Sequence, residues 1–296
     1  MRILNYLLIS IFLTGCTSLF GQDEIPNLTP EQVRDSIRMA EQGDALAQTT
    51  LGKLYSSGWG VPQDYQQAVK WFRRAAEQGE VDAQSWLGDI YKDGLGVPKD
   101  FHLAAKWYRK AAEQGHPKAQ FNLGLMYKRG EGVSQDFQLA IRWYRKAAEQ
   151  GHPKAQFNLG LMYDKGEGVP QDDQLAVKWW RRAAEQGLVD AQYNLGTMSF
   201  NGNGVPKNYQ LAAYWYRRAA EQGEALAQYN LGVMYAEGLG VHKDYVLAHK
   251  WANLAASQGE KEAAKFRDDL AKDMNTSQIQ EAQKLAREFK PKKEKP

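Results

Sequence analysis

Along residues 44–79 the apolar side chains fall on two helical stripes separated by a glycine-rich break. Ala47, Leu51, Leu54 and Tyr55 stand at i, i+4, i+7 and i+8, which puts them on one face of a helix. The run Gly58-Trp59-Gly60-Val61-Pro62 ends that element, and Asp64 beyond it suits a helix N-cap. Ala68, Trp71, Phe72, Ala75 and Ala76 form a second stripe, and Gly79 suits a left-handed C-cap. The pattern predicts two helices joined by a short loop. Neither could bury its stripe alone, so neighbouring segments must supply the other half of the core.

Repetition supplies it. Leu51-Gly52 recurs as Leu87-Gly88, Leu123-Gly124, Leu159-Gly160, Leu195-Gly196 and Leu231-Gly232, always 36 residues apart. Trp71, Trp107, Trp143, Trp179, Trp215 and Trp251 keep the same register, as does a Glu-Gln-Gly triplet that closes as Ser257-Gln258-Gly259. Six units follow without insertion: 44–79, 80–115, 116–151, 152–187, 188–223 and 224–259. A glycine within a helix costs about 1 kcal/mol relative to alanine. The six repeated ones therefore predict a compensating close approach where a Cβ is missing. The Trp row, with Phe72, Tyr108, Tyr144, Trp180 and Tyr216 beside it, reads as core packed between units.

The unit reads Ala-Gln-x-x-Leu-Gly-x-x-Tyr, then Gly-x-Gly-Val, then Ala-x-x-Trp-x-x-x-Ala-Ala-Glu-Gln-Gly, and over residues 44–259 it closely resembles the Sel1-like repeat family. The resemblance implies an all-α fold, a right-handed superhelical solenoid of antiparallel helix pairs akin to tetratricopeptide arrays. It further implies a concave face lined by the first helix of each pair, and a scaffolding or adaptor role.

The ends read as caps. Thr29-Pro30-Glu31-Gln32 resembles a capping box with proline at N1, opening a capping helix within 29–43. Residues 260–289 read as C-terminal capping helices, one over Ala263–Leu270 in which Arg267 takes the usual leucine position, and one from about Ser277 to Phe289. Residues 290–296 read as a disordered basic tail. At the other end, Arg2 precedes the apolar stretch Ile3–Leu13, too short for an ordinary membrane span. It ends in Leu13-Thr14-Gly15-Cys16, which resembles a bacterial lipobox. Residues 1–15 are then a lipoprotein signal peptide, Cys16 the lipidated residue and 16–28 a tether. Thr17, in place of aspartate, favours the outer membrane, with the mature chain facing the periplasm; display at the cell surface is the alternative.

Charge and chemistry narrow the function. With 38 basic and 35 acidic residues the net charge is +3, too balanced for a nucleic-acid partner. The Gly-x-Gly loops follow helices, not strands, so they are not phosphate cradles. His116 and His152 share one repeat position, too far apart for one metal ion, and His242 and His249 lack carboxylates at ligand spacing. No nucleophile elbow is present, and some cysteine-rich relatives' link to β-lactam hydrolysis does not carry over to a chain with one cysteine. The sequence thus predicts a non-enzymatic chain with no cofactor and no metal, a protein partner, and membrane contact through the N-terminal lipid only. A weak hydrolase is the disfavoured alternative.

A partner should meet the first helices where the units differ. One row holds Ser85, Phe121, Phe157, Tyr193 and Tyr229; a second holds Leu125 and Leu161 with Asp89, Thr197 and Val233; a third holds Lys92, Lys128, Arg129, Asp164, Lys165, Phe200 and Asn201. The candidate groove is therefore Phe121, Leu125, Lys128, Phe157, Leu161, Lys165, Tyr193, Phe200 and Tyr229, since aromatic rings beside cations are common interface anchors. The same rings could instead serve packing within the stack. Asn122, Asn158, Asn194 and Asn230 could likewise bond an extended peptide or the stack itself.

Overall fold

The computed structural model describes residues 29–292, so Cys16, the leader and the tether lie outside the described residues. Among the described residues are fifteen α-helices and one short 3-10 turn, with no strand. A capping helix α1 (Pro30–Glu41) is followed by α2 (Ala45–Ser57), α3 (Tyr65–Glu77), α4 (Val81–Asp93), α5 (Phe101–Glu113), α6 (Pro117–Arg129) and α7 (Phe137–Glu149). Then come α8 (Pro153–Lys165), α9 (Asp173–Glu185), α10 (Val189–Asn201), α11 (Tyr209–Glu221), α12 (Ala225–Glu237) and α13 (Tyr245–Ser257). The chain closes with α14 (Lys261–Leu270), the 3-10 turn Ala271–Asp273 and α15 (Thr276–Arg287). These elements form two compact units, one through Gln150 and one from Gly151.

Local chemistry sets most of the boundaries, although the helices after Leu188 and Glu260 start without a side-chain cap. Thr29 and Gln32 make the reciprocal capping box at the start of α1. Asp44 accepts from the Ala47 amide at 2.7 Å to start α2, and Gly58 ends it at φ 77°, a left-handed conformation that favours glycine. Asp64 accepts from the amides of Gln66 and Gln67 at the head of α3, while its own N–H returns to the Tyr55 carbonyl at 2.9 Å. That bond closes the loop of the first hairpin. It recurs from Asp100 to Tyr91, Asp136 to Tyr127, Asp172 to Tyr163 and Asp244 to Tyr235.

The helix glycines lie under aromatic rings. A Cβ on Gly52 would stand 2.7 Å from the Phe72 ring, and Gly124, Gly160 and Gly196 face Tyr144, Trp180 and Tyr216 in the same way. These rings, with Tyr108 over Gly88, are at most 3% exposed. Contact is thus ring to backbone within a helix pair, closer than any side chain on the first helix would allow. In the last repeat Ala252 replaces the ring, and a Cβ on Gly232 would meet the Ala248 carbonyl at 3.0 Å, the Ala252 amide at 3.4 Å and the Trp251 Cβ at 3.6 Å. The second glycine of the loop serves contact between repeats: a Cβ on Gly96 would meet the backbone of Tyr65, at the start of the previous second helix, at 2.7 Å.

Packing follows sequence order within each unit: a first helix against its own second helix, and that second helix against the next first helix. First helices of neighbouring repeats also approach one another, α4 with α6 in the first unit and α10 with α12 in the second. Of the Trp row, Trp71, Trp179, Trp215 and Trp251 are buried, whereas Trp107 and Trp143 are half-buried under the ammonium groups of Lys110 and Lys146, each 4.6 Å from the ring centre. At the C-terminus α13 packs against both α14 and α15. Arg267, in the position expected for leucine, reaches Asn253 Oδ1 at 3.2 Å and Asp268, and Phe289 stacks edge-on against Trp251. Within the segment 290–296, expected as a basic tail, the Lys292 N–H donates to the Glu221 carbonyl at 2.8 Å, and residues 293–296 lie outside the described residues.

Candidate functional site on the first helices

The sequence signal for the deepest polar element was the recurrent Ala-Gln dipeptide, a polar residue on an apolar stripe. Gln48, Gln84, Gln120, Gln192 and Gln228 are at most 4% exposed. Each donates to the carbonyl of an alanine near the end of the preceding helix: Gln48 to Ala40 of the capping helix at 3.1 Å, Gln84 to Ala76 at 3.2 Å, Gln120 to Ala112 at 3.1 Å, Gln192 to Ala184 at 3.1 Å. Each also accepts from the glutamine of its own Glu-Gln-Gly or Ser-Gln-Gly triplet, as Gln114 to Gln84 and Gln150 to Gln120, both 2.8 Å. A ladder of paired amides therefore fastens one repeat to the next inside each unit, and satisfies polar groups that would otherwise be costly to bury.

In the first unit the first helices carry a polar network. Asp89 accepts from Tyr108 Oη at 2.6 Å and from Asn122 Nδ2 at 3.3 Å, and pairs with Lys118 Nζ at 2.7 Å. Burial, with the Asp89 charge beside it, pushes the Tyr108 hydroxyl well above the usual phenol range. Asn122 is therefore spent within the stack and not offered to a peptide. Lys118 also lies 5.2 Å over the Trp86 ring, which stacks on Phe72. Of the candidate residues here, Phe121 is half-buried against Tyr144, with ring centres 5.9 Å apart, and Leu125 and Lys128 are half-buried on the same helix.

His116 and His152 are helix caps. Their Nδ1 atoms accept from the amides of Ala119 and Ala155 at 3.1 and 3.2 Å, ahead of a proline at N1. His116 Nε2–H then donates to Asp82 at 3.3 Å, while Lys53 approaches the other carboxylate oxygen at 3.3 Å. That hydrogen bond from His116, aided by Lys53, lowers the Asp82 carboxyl from 3.8 to about 2 against the opposing effect of burial. A depressed folded-state value stabilises above the unfolded one and is lost as pH falls through the folded one. We expect the first unit to lose about 1 kcal/mol, after discounting for partial exposure, between about pH 4 and pH 2. Asp82→Asn removes this pH dependence in denaturant titrations; an unchanged slope counts against the assignment.

In the second unit the same face is aromatic. Phe157 packs on Trp180 with centres 6.3 Å apart, and the Trp180 indole N–H donates to the Phe157 carbonyl. Tyr193 packs on Tyr216 at 5.9 Å, while Thr197 Oγ1 and Tyr216 Oη share a hydrogen bond at 3.1 Å. Burial pushes the Tyr216 hydroxyl up to about 12. Tyr229 meets Phe266 of α14 edge-on at 5.8 Å. Phe157, Tyr193 and Tyr229 thus occupy one row on α8, α10 and α12, each covered on one side and half-buried overall, with Leu161 half-buried beside it. Phe200 stands apart from that row. It lies at the end of α10 against Tyr209, near Lys207, while Lys165 is exposed at the end of α8. Among the described residues no group of three or more His, Cys, Asp or Glu side chains could hold a metal ion. No described helix is long and apolar enough to cross a membrane.

A family model described as Sel1 repeat matches residues 45–80, 81–116, 117–152, 153–188, 189–224 and 225–260. A solved Sel1 repeat protein from Oxalobacter formigenes is 36% identical, with a TM-score of 0.73 over 91% of this chain and 77% of that one. A solved protective antigen of uropathogenic Escherichia coli with an SLR fold is 31% identical over 98% of this chain and 76% of its own, with a TM-score of 0.42. The secretory immunoglobulin A-binding protein EsiB of Escherichia coli O6:H1 is 39% identical over 67 residues. That match spans 23% of this chain and 13% of EsiB.

Proposed function

Because this chain belongs to the Sel1 repeat family, we propose that it is a non-enzymatic scaffold that holds a partner protein along its first helices. The observation that carries this reading is the row Phe157, Tyr193 and Tyr229 on successive first helices, rings fixed from beneath with part of their surface uncovered. Aromatic side chains held in place lose little freedom on binding and are favoured interface anchors. Lys128 and Lys165 add charge at the ends of α6 and α8. In the cell the chain is a lipoprotein anchored through Cys16, in the outer membrane and facing the periplasm. The lipobox-like sequence and Thr17 support this placement.

Replacing Phe121, Phe157 and Tyr193 by alanine is expected to abolish co-purification of the cross-linked partner while helicity is retained. Because these rings also pack internally, the charge reversals Lys128→Glu and Lys165→Glu provide a second test, with a weaker loss expected. Retained binding in both refutes the assignment of this face. A second reading, display at the cell surface to engage a host protein, is favoured by the match to a protein described as binding secretory immunoglobulin A. Protease accessibility of the repeats on intact and lysed cells separates the two: protection until lysis supports the periplasmic adaptor, and cleavage on intact cells supports surface display.

A further inference from the structure

The near-zero net charge conceals a strongly basic face. In the first unit Lys70, Arg73 and Arg74 on α3, Lys106, Arg109 and Lys110 on α5, and Arg142, Arg145 and Lys146 on α7 are all exposed. They occupy the same three positions of three successive second helices, with Glu77, Glu113 and Glu149 at the helix ends as the acidic residues of those helices. The carboxylates that balance them sit elsewhere, as N-caps such as Asp64, Asp100 and Asp136 and on first helices as Asp82 and Asp89. In the second unit Lys178, Arg181 and Arg182 on α9 repeat the pattern, and Arg217 and Arg218 follow on α11.

Part of this set has a structural task. Arg73 and Arg109 donate to Tyr91 and Tyr127 of the next repeat at 2.7 Å, and Arg74 and Arg182 lie 4.9 Å over Trp71 and Trp179. Lys70, Lys106, Arg142 and Lys178 make no ion pair among the described residues. Lys70, Arg73 and Arg74 also line a shallow cleft of about 400 Å³ with Gly96 and Val97 of the following loop. Lys178, Arg181, Arg182, Gly204 and Val205 line its counterpart of about 420 Å³ in the second unit.

We propose that the second-helix face of each unit docks on an anionic lipid surface, its lysines and arginines meeting headgroup phosphates. Three features select a bilayer over other polyanions. The cations spread over three helices in the first unit, wider than one strand of polymer would cover. In the first unit the tryptophans beneath them are buried or capped by cations, so its second helices expose no Phe, Tyr or Trp ring on which nucleic-acid bases could stack. The face has no apolar centre of the kind a protein interface needs, and lysine is depleted in such interfaces. With this side on the membrane, the first helices remain turned to a protein partner. The docking itself does not depend on acylation at Cys16.

The test uses the full chain carrying Cys16→Ser, co-sedimented with phosphatidylcholine vesicles with and without added phosphatidylglycerol. Binding is expected to rise with phosphatidylglycerol and to fall with salt. Lys70→Gln, Lys106→Gln and Arg142→Gln together should weaken the phosphatidylglycerol-dependent part at least about tenfold, given the contribution of each cation near an anionic surface. Lys128→Gln with Lys165→Gln on the first helices should leave it unchanged. No rise with phosphatidylglycerol, an unaffected triple variant, or binding to heparin or polyglutamate without binding to vesicles would each overturn the proposal.

Discussion

Phe72→Ala is expected to destabilise the first unit by about 3–5 kcal/mol, the range for removing a fully buried aromatic side chain. The ring packs on Gly52 and stacks on Trp86 at 5.5 Å, so its loss opens a cavity that touches two repeats. Gly52→Ala alone should cost about 1–3 kcal/mol, because overpacking against the ring outweighs the roughly 1 kcal/mol that alanine contributes as a helix former. In the Phe72→Ala background the same Gly52→Ala change should cost much less or stabilise, because the atoms it would strike are gone. Denaturant unfolding of the four proteins measures the coupling. Additive effects would show that the glycine does not serve the ring.

Gln84→Leu should cost about 1–3 kcal/mol, although the side chain gains apolar character. It removes the donor to Ala76 and the acceptor for Gln114 at the junction of the first two repeats. The Ala76 carbonyl keeps the Gly79 amide, which holds the cost below that of a fully orphaned group. Gln114 is exposed and can turn to water, so Gln114→Leu should cost less than about 1 kcal/mol. Hydrogen exchange localises the loss: amides of α3 and α4 should open first. Equal costs for the two glutamines would contradict the ladder's role as a junction between repeats.

The regular part of this architecture was legible because each repeat position has one physical task. Asp64, Asp100, Asp136, Asp172 and Asp244 cap helices as their position before an apolar stripe requires. The close approach at Gly52 and its counterparts was foreseeable from the propensity cost alone. Its partner, the ring at Phe72 or Trp180, was not, because spacing along one helix does not say which side chain faces it across a pair. The glutamine ladder was visible as a polar intrusion on an apolar stripe, yet its partners lie 8 and 30 residues away. The capping role of His116 is not legible in the sequence because histidine is an uncommon choice at that position, and its bond to Asp82 depends on the stacking of two repeats.

The candidate face was legible only as a set of rows. Sequence position put Phe121, Phe157, Tyr193 and Tyr229 in one row but left open how much of each ring the second helices cover. It also grouped Phe200 with them, although that ring belongs to the loop end of its repeat. The polar first helices of the first unit and the aromatic ones of the second come from differences at Asp89, Leu161 and Thr197, whose consequences depend on their neighbours. Likewise, pooling all charges into +3 hid the separation of cations onto the second helices.

The most direct test of the scaffold reading is site-specific photo-crosslinking in the native cell. A photoreactive residue is placed at Leu125, Leu161 or Tyr193 on the first helices, and at Gln138 or Gln174 on the second. One protein partner is expected to be captured from the first three positions and not from the last two. Capture from Gln138 and Gln174 alone, or no protein captured from any first-helix position, would contradict the scaffold reading.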